Sequence, residues 1–508
     1  MINQIIKNIF SNYFVNFLQM ALGILIVPFL ILKLGKEAFG LIVLVESTIA
    51  IFEVMIGSIR IALSRHATYS LGQGNLDEFI KYLSTGKYIL LAFGVLILIS
   101  GGLVSHFFSH IFQVPSGLAA PSKLLFLLVV FSFFITVPNI VYWSILYAKQ
   151  RFDLINLASS VGLILRALSI FILFMILPKK YISLPTYGFI YLLMKTAENS
   201  LIYIWHKKIM PGMRLTFKDF QSNKVKEILS FSGYTSLSCV STILYENTAN
   251  ILINVFYGPV FNAIYAISLK IPMTINNIFL RSTWSLAPTV TDLVAKKDTD
   301  RLQKLFFIYS KMLCVFTLPV ILFIMVMSKK IINIWVGSGF LQASGLLSIH
   351  LIPLLIILPL SVVNLTVNAY AKVKIPSQVT FIIAVLNVAL GILLAKAFNL
   401  QLYGFAISAA LCTIINSAIF LPYYSCKISG LPVYEYVFNA FVRPLFLGCL
   451  VILPLYFIIN FISHRSSLGM IVVQGVFITA TYYSFAYVYL VNKYEKDVIK
   501  GFIIKRFQ

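Results

Sequence analysis

Runs of apolar residues, each closed by charged or turn-forming positions, organise this 508-residue chain. They fall at about 9–32, 39–62, 86–107, 122–146, 155–177, 184–204, 231–256, 261–287, 306–328, 344–369, 378–397, 402–425, 439–461 and 470–491. A helix needs ~20 consecutive apolar residues to cross the hydrocarbon core, so the pattern predicts fourteen transmembrane helices. An even number puts both termini on one side. The first run is too long for the core of a signal peptide and lacks a small-residue cleavage site, so it reads as the first span.

Composition sharpens the picture. Apolar residues make up 60% of the chain and charged residues 11%, against about 25% charged in a soluble domain. So few polar residues cannot cover a soluble surface, which excludes a soluble enzyme and a disordered scaffold and disfavours a single-pass receptor. The reading is an all-α, multi-pass protein of the inner membrane. The net charge of +24 would suggest nucleic acid in a soluble protein. In a membrane protein it instead marks cytoplasmic loops, and no nucleic-acid partner is expected. With the N-terminus inside, 23 of the 40 basic residues fall in cytoplasmic segments, including Lys207, Lys208, Arg214, Lys218, Lys224 and Lys226 in the 205–230 loop. Lys179, Lys180, Lys329 and Lys330 run against the bias. Both termini are therefore expected in the cytoplasm.

The outer loops are short, the longest covering about 108–121, which leaves no room for the large outer domain usual in membrane glycosyltransferases and polymerases. No enzymatic activity is expected. The five cysteines form no C-x-x-C pair and indicate neither disulfides nor a metal site. His106 and His110 are four apart, but no carboxylate stands near them in sequence. Gly72-x-Gly74 lacks a third glycine and there is no Walker motif, so no nucleotide or other cofactor is implied.

The chain also resembles itself. Phe10-Ser11-Asn12-Tyr13 returns as Phe231-Ser232-Gly233-Tyr234, and Asn75 and Asp77 return as Asp298 and Asp300. Tyr147-Ala148-Lys149 returns as Tyr370-Ala371-Lys372, Tyr187-Gly188-Phe189 as Tyr403-Gly404-Phe405, and Asn199-Ser200 as Asn416-Ser417. Five matches in one order, at offsets of 216–223, make spans 1–6 and 7–12 two copies of a six-helix unit. The expected layout is an N-lobe over 1–228, a C-lobe over 229–430, and an extra helix pair with a tail over 431–508. Parallel repeats of this kind are a transporter architecture.

An ionisable residue at mid-membrane costs at least ~2.5–3.5 kcal/mol and usually faces a cavity or a partner. Glu46, Glu53 and Arg60 share a face of span two, Arg166 lies midway along span five, and Lys195 and Glu198 are three apart on span six. Glu246 and Asn250 share a face of span seven; Lys270, Thr274, Asn277, Arg281 and Ser285 form a stripe on span eight. Asn8, Asn12, Asn16 and Gln19 form another on span one, and Ser361, Asn364 and Asn368 a third on span ten. Arg60, Arg166, Lys270, Asn277 and Arg281 are the candidates for a substrate cavity, and Glu53 and Glu246 for ion coupling. Each has a structural counter-reading. Lys195 and Glu198 suit a plain ion pair, Arg60 and Arg281 can snorkel to headgroups, and the asparagine stripes can join helices.

Several segments carry a family resemblance. Leu34-Gly35-Lys36-Glu37-Ala38-Phe39-Gly40 resembles the L-G-x-x-x-[YF]-G hallmark of polysaccharide exporters. Gly57-x-x-x-x-Ala62-x-x-Arg65 with Gly72-x-Gly74-Asn75, Tyr147-Ala148-Lys149-Gln150-Arg151, and Gly258…Ala263-x-Tyr265-x-x-Ser268 with Ala287-Pro288 are similar to further segments of that family. The chain is thereby identified as a member of the Wzx-type O-antigen flippases of the MATE-like MOP superfamily. The resemblance implies two six-helix lobes that open alternately to either side. It also implies an undecaprenyl-diphosphate-linked oligosaccharide as cargo, moved to the outer leaflet with proton or sodium coupling. The implied partners are that lipid, the phospholipid membrane and a polysaccharide polymerase machinery. Two positions depart from the family: Met55 stands where many members carry Asp, and Asn250 where many carry another. The competing readings are a MATE-type drug exporter, a lipid II or teichoic-type flippase, and a membrane polymerase or ligase.

Overall fold

The computed structural model describes residues 2–178, 182–284, 286–370, 372–462 and 468–490. Lys179, Lys180 and the tail beyond residue 490 lie outside the described residues. All regular elements among the described residues are helical. The chain forms two compact units, Met1–Ala266 and Ile267–Gln508.

The first unit holds α1 (Ile2–Leu34), α2 (Lys36–Gly72), α3 (Leu76–His106), α4 (Ala119–Ala148), α5 (Phe152–Ile176), α6 (Leu184–Ile209), α7 (Ser222–Glu246), α8 (Thr248–Tyr257) and the start of α9 (Pro259–Trp284). Helix α4 packs along α6, α3 and α2; α6 also packs on α5, α5 on α1, and α7 and α8 on α2. Outward positions stay apolar. On α5, Leu157, Leu165, Leu168, Ile172, Met175 and Ile176 are all exposed, as a helix bathed in acyl chains requires.

The second unit continues with α10 (Ala287–Ala295), α11 (Thr299–Val326), α12 (Ser328–Val336), α13 (Gln342–Leu360), α14 (Lys374–Lys396) and α15 (Leu402–Thr413). Helix α15 runs through π-helical turns at Ile414–Phe420 into α16 (Leu421–Ser429), and α17 (Arg443–Ile462) and α18 (Leu468–Tyr489) follow. The last two pack on α11: Cys314, Val315, Leu318 and Leu322 share a core with Val451, Ile452, Ile478 and Tyr482.

Twelve helical stretches among the described residues are long and apolar enough to cross a membrane, not the fourteen expected. The two missing from that set are 184–204 and 231–256, and each has a physical reason. Helix α6 is continuous, but Lys195, Glu198 and its tyrosines dilute its apolar character. The other stretch is broken at Asn247, where α7 stops and α8 begins.

The internal repeat has a backbone counterpart. At the end of α2, Gln73 N–H donates to Tyr69 O, Gly74 N–H to Leu71 O and Asn75 N–H to Ser70 O. At the end of α10, Lys296 N–H donates to Asp292 O, Lys297 N–H to Val294 O and Asp298 N–H to Leu293 O, the same three bonds 223 residues on. Gly74 (φ 72) and Lys297 (φ 55) take the left-handed turn in both. Asn75 and Asp298 then cap α3 and α11, accepting from Glu78 N–H and Arg301 N–H. Gly35 (φ 88) and Gly258 (φ 87), also 223 apart, each break the chain before a helix.

The basic 205–230 loop is fastened to α3. Lys87 Nζ donates to Leu215 O at 3.2 Å, and Gln221 N–H to Thr85 Oγ1 at 3.1 Å. The rings of Phe217 and Phe220 meet Tyr88 edge-on. Buried Lys224 pairs with Glu78 and lies 3.9 Å over the ring of Tyr82, whose hydroxyl donates to Glu227.

Candidate functional site

Three helices of the first unit bring their polar faces together. Seven residues are nearly two helical turns, so Glu46, Glu53 and Arg60 rise along one face of α2, and Ser159 and Arg166 along one face of α5. On α6, Tyr187, Tyr191, Lys195 and Glu198 follow at steps of four, four and three, again one face.

At one level Arg166 Nη2 donates to Glu46 Oε1 at 2.8 Å, and Tyr187 Oη donates to the same oxygen at 2.8 Å. Arg166 Nη2 also contacts Tyr187 Oη. The guanidinium lies over the rings of Tyr187 and Tyr191, 5.3 and 5.4 Å from their centroids, an arrangement that favours a delocalised cation. At the next level Lys195 Nζ is 3.1 Å from Glu198 Oε2, and Ser159 Oγ donates to Glu198 Oε1 at 2.8 Å. Glu53 is exposed two helical turns from Glu46 on the same face of α2. The cluster is not sealed: the side chains of Arg166 and Glu46 remain 21% and 41% exposed, so both can meet a ligand.

Arg60 sits elsewhere on α2. Its guanidinium lies 5.2 Å over the ring of Trp143, which stacks on Tyr147, beside a Ser64–Ser144 hydrogen bond of 3.1 Å. In the second unit Lys270 and Asn277 are exposed on α9, and Thr274 Oγ1 donates to Lys270 O at 2.8 Å. Helices α7 and α9 carry Glu246 and Arg281, whose side chains lie outside the described residues, as does Ser285. The structure thus places Arg166, Lys195 and Glu198 in one cluster with Glu53 at its edge, and puts Lys270, Asn277 and Arg281 on a helix of the other unit.

Asn8 and Asn364 of the asparagine stripes join helices, while Asn16 Nδ2 donates back to Asn12 O within α1. Asn8 Nδ2 donates to Gln150 O and Asn8 Oδ1 accepts from Asp153 N–H, which fixes α1 to the start of α5. Asn364 Oδ1 accepts from Ser425 Oγ within the second unit. Asn250 is buried, with its Oδ1 unpaired among the described residues. Glu46 was visible as part of the span-two stripe, but its role as the partner of Arg166 was not. Tyr187, Tyr191 and Ser159 were missed as site residues, although the four-residue steps from Tyr187 through Tyr191 to Lys195 mark a polar face.

An all-helical protein with this many spans and such a charged interior face is a polytopic membrane protein with the fold of MOP-superfamily transporters. The lipid II flippase MurJ, solved in an inward closed conformation, aligns over 96% of this chain and all of its own, with a TM-score of 0.72 at 16% identity. An inward-facing multidrug resistance MATE transporter of the MOP superfamily aligns over 82% of this chain and 95% of its own (TM-score 0.66, 16% identity). The chain belongs to the polysaccharide biosynthesis protein family, whose profile matches residues 34–345. The membrane protein EpsK of Bacillus subtilis (strain 168) is 22% identical over 506 residues, covering 99% of this chain and 97% of its own.

Proposed function

We propose that this protein is a Wzx-type flippase that carries an undecaprenyl-diphosphate-linked oligosaccharide, an O-antigen-like repeat unit, from the cytoplasmic to the outer leaflet of the bacterial inner membrane. The observation that carries the reading is the family membership over 34–345. The physics of the cargo agrees: a diphosphate headgroup is anionic and polar, and needs cations inside the membrane while its polyprenyl tail stays in lipid. Arg60 and Arg166 on α2 and α5, and Lys270 and Arg281 on α9, supply positive charge within helices. Glu53 on α2 and Glu246 on α7 are the carboxylates proposed to couple transport to a proton or sodium gradient. Cytoplasmic termini are part of the proposal, supported by the bias of basic residues toward the loops on that side, as is delivery of the product to a polymerase machinery.

Deletion of the protein should leave lipid-linked repeat units trapped in the inner leaflet and abolish surface polysaccharide. Lys270→Ala should fail to restore it while remaining at normal abundance in the membrane. Depletion of Lys270→Ala from the membrane in proportion to lost export would withdraw the substrate role of Lys270. Unchanged surface polysaccharide in the deletion strain would reject the flippase reading itself.

A further inference from the structure

Among the described residues, Arg166 hydrogen-bonds through Nη2, to Glu46 and to Tyr187. Glu46 engages Nη2 through a single oxygen, whereas a guanidinium can present two parallel donors to one anion. Arg166 Nε is buried and has no hydrogen-bond partner among the described residues. A buried donor left unpaired is costly, so the fork is incompletely satisfied by the carboxylate it faces. The tyrosine rings on α6 fix the plane of the guanidinium, and Tyr187 fixes Glu46 through its own hydrogen bond. Arg166 is thus oriented to offer more donors than Glu46 accepts.

A lone arginine inside a membrane would also meet phospholipid phosphates, which are present in vast excess. A phosphodiester carries one negative charge; a diphosphate carries more charge and more acceptor oxygens. A resident carboxylate raises the threshold for both, and only the stronger ligand exceeds it. Specificity of this kind comes from opposing the wrong ligand as well as attracting the right one. We propose that Glu46 is a specificity-determining occupant of the Arg166 site, displaced by a diphosphate headgroup but not by a phospholipid phosphate. The inference rests on the diphosphate-lipid reading above and adds to it the residue that sets selectivity.

The test uses the full-length protein in nanodiscs of phosphatidylcholine, with geranylgeranyl diphosphate as probe and inorganic pyrophosphate as competitor. Phosphatidylglycerol is then added to the bilayer. Wild-type binding should change little with phosphatidylglycerol, and pyrophosphate should compete. Glu46→Gln should bind the probe about tenfold more tightly in phosphatidylcholine, the scale of one charge-assisted hydrogen bond. It should lose most of that gain as phosphatidylglycerol rises. Glu46→Ala should behave alike, which guards against a local misfit of the glutamine. Arg166→Ala should lose binding, and adding Glu46→Gln to it should restore nothing. If folded Glu46→Gln and Glu46→Ala bind no more tightly than wild type, or show no new sensitivity to phosphatidylglycerol, the proposal falls and the flippase reading stands. Equal binding by wild type and Arg166→Ala, or failure of pyrophosphate to compete, also overturns it. If no variant binds the probe, this proposal and the diphosphate cargo fall together.

Discussion

Gly40, which closes the Leu34-to-Gly40 motif, should tolerate no side chain. A Cβ built on it would lie 1.8 Å from the carbonyl oxygen of Pro259, 2.6 Å from its carbonyl carbon and 3.1 Å from its Cα. Every one of these is a backbone atom, so no rotamer change relieves the clash; α2 and the start of α9 would have to separate by ~1.5 Å to reach ordinary contact. The separation would also pull the carbonyl of Gly40 from the amide of fully buried Asn262, which donates to it at 3.0 Å. Overpacking costs about 1–3 kcal/mol, and stranding a buried donor costs about 1–3 kcal/mol more. Gly40→Ala should therefore lose ~3–5 kcal/mol, a large share of the ~5–15 kcal/mol that holds a typical protein folded. At ~2–4 °C per kcal/mol for units of a couple of hundred residues, the detergent-solubilised protein should melt about 10 °C lower. Gly57→Ala is the control on the same helix, because its Cβ would meet nothing within 4 Å. If Gly40→Ala melted within about 2 °C of Gly57→Ala, the close approach of the two backbones would not be what requires this glycine.

The repeated turns should respond oppositely to opposite changes. Gly74→Ala places a Cβ on a left-handed backbone (φ 72), while Lys297→Gly relieves one (φ 55); melting should move down for the first and up for the second, each by roughly 1 kcal/mol, and shifts of the same sign would refute the shared-turn account. Lys224→Met keeps an apolar stem but removes the charge opposite Glu78. Glu78 is 37% exposed, so the loss should be only ~1–2 kcal/mol. Trypsin should nonetheless cut the 205–230 loop several-fold faster, and an unchanged rate would show that the loop is held by its other contacts.

Much of this architecture can be read from the sequence because lipid imposes a simple code. Apolar runs became helices at nearly every predicted place, and the 223-residue offset reappears as the same capping bonds at Asn75 and Asp298. Two kinds of feature escaped. Helix ends extend past the apolar runs: α2 continues to Gly72 through Arg65 and His66, since hydrogen bonding carries a helix out of the membrane without any apolar requirement. The break at Asn247 carries no proline or glycine, so nothing local announced it.

The candidate site shows a different limit. Periodicity identifies which residues share a helix face, but not which faces meet, and Arg166 and Glu46 are 120 positions apart. That pairing changes the electrostatic argument. In this cluster Arg166 is paired with Glu46 and Lys195 with Glu198, so it holds no surplus of positive charge, and under the proposal above an anion would have to displace a carboxylate to bind. Helix α9 differs in kind, for between Pro259 and Trp284 it carries Lys270 and Arg281 and no acidic residue. Under the flippase proposal, Lys270 and Arg281 would attract an anionic headgroup through net charge, and Glu46 would set which anion Arg166 accepts. Attraction and discrimination are then separable: neutralising Lys270 should weaken capture of every anion alike, whereas changing Glu46 should alter which anion is captured.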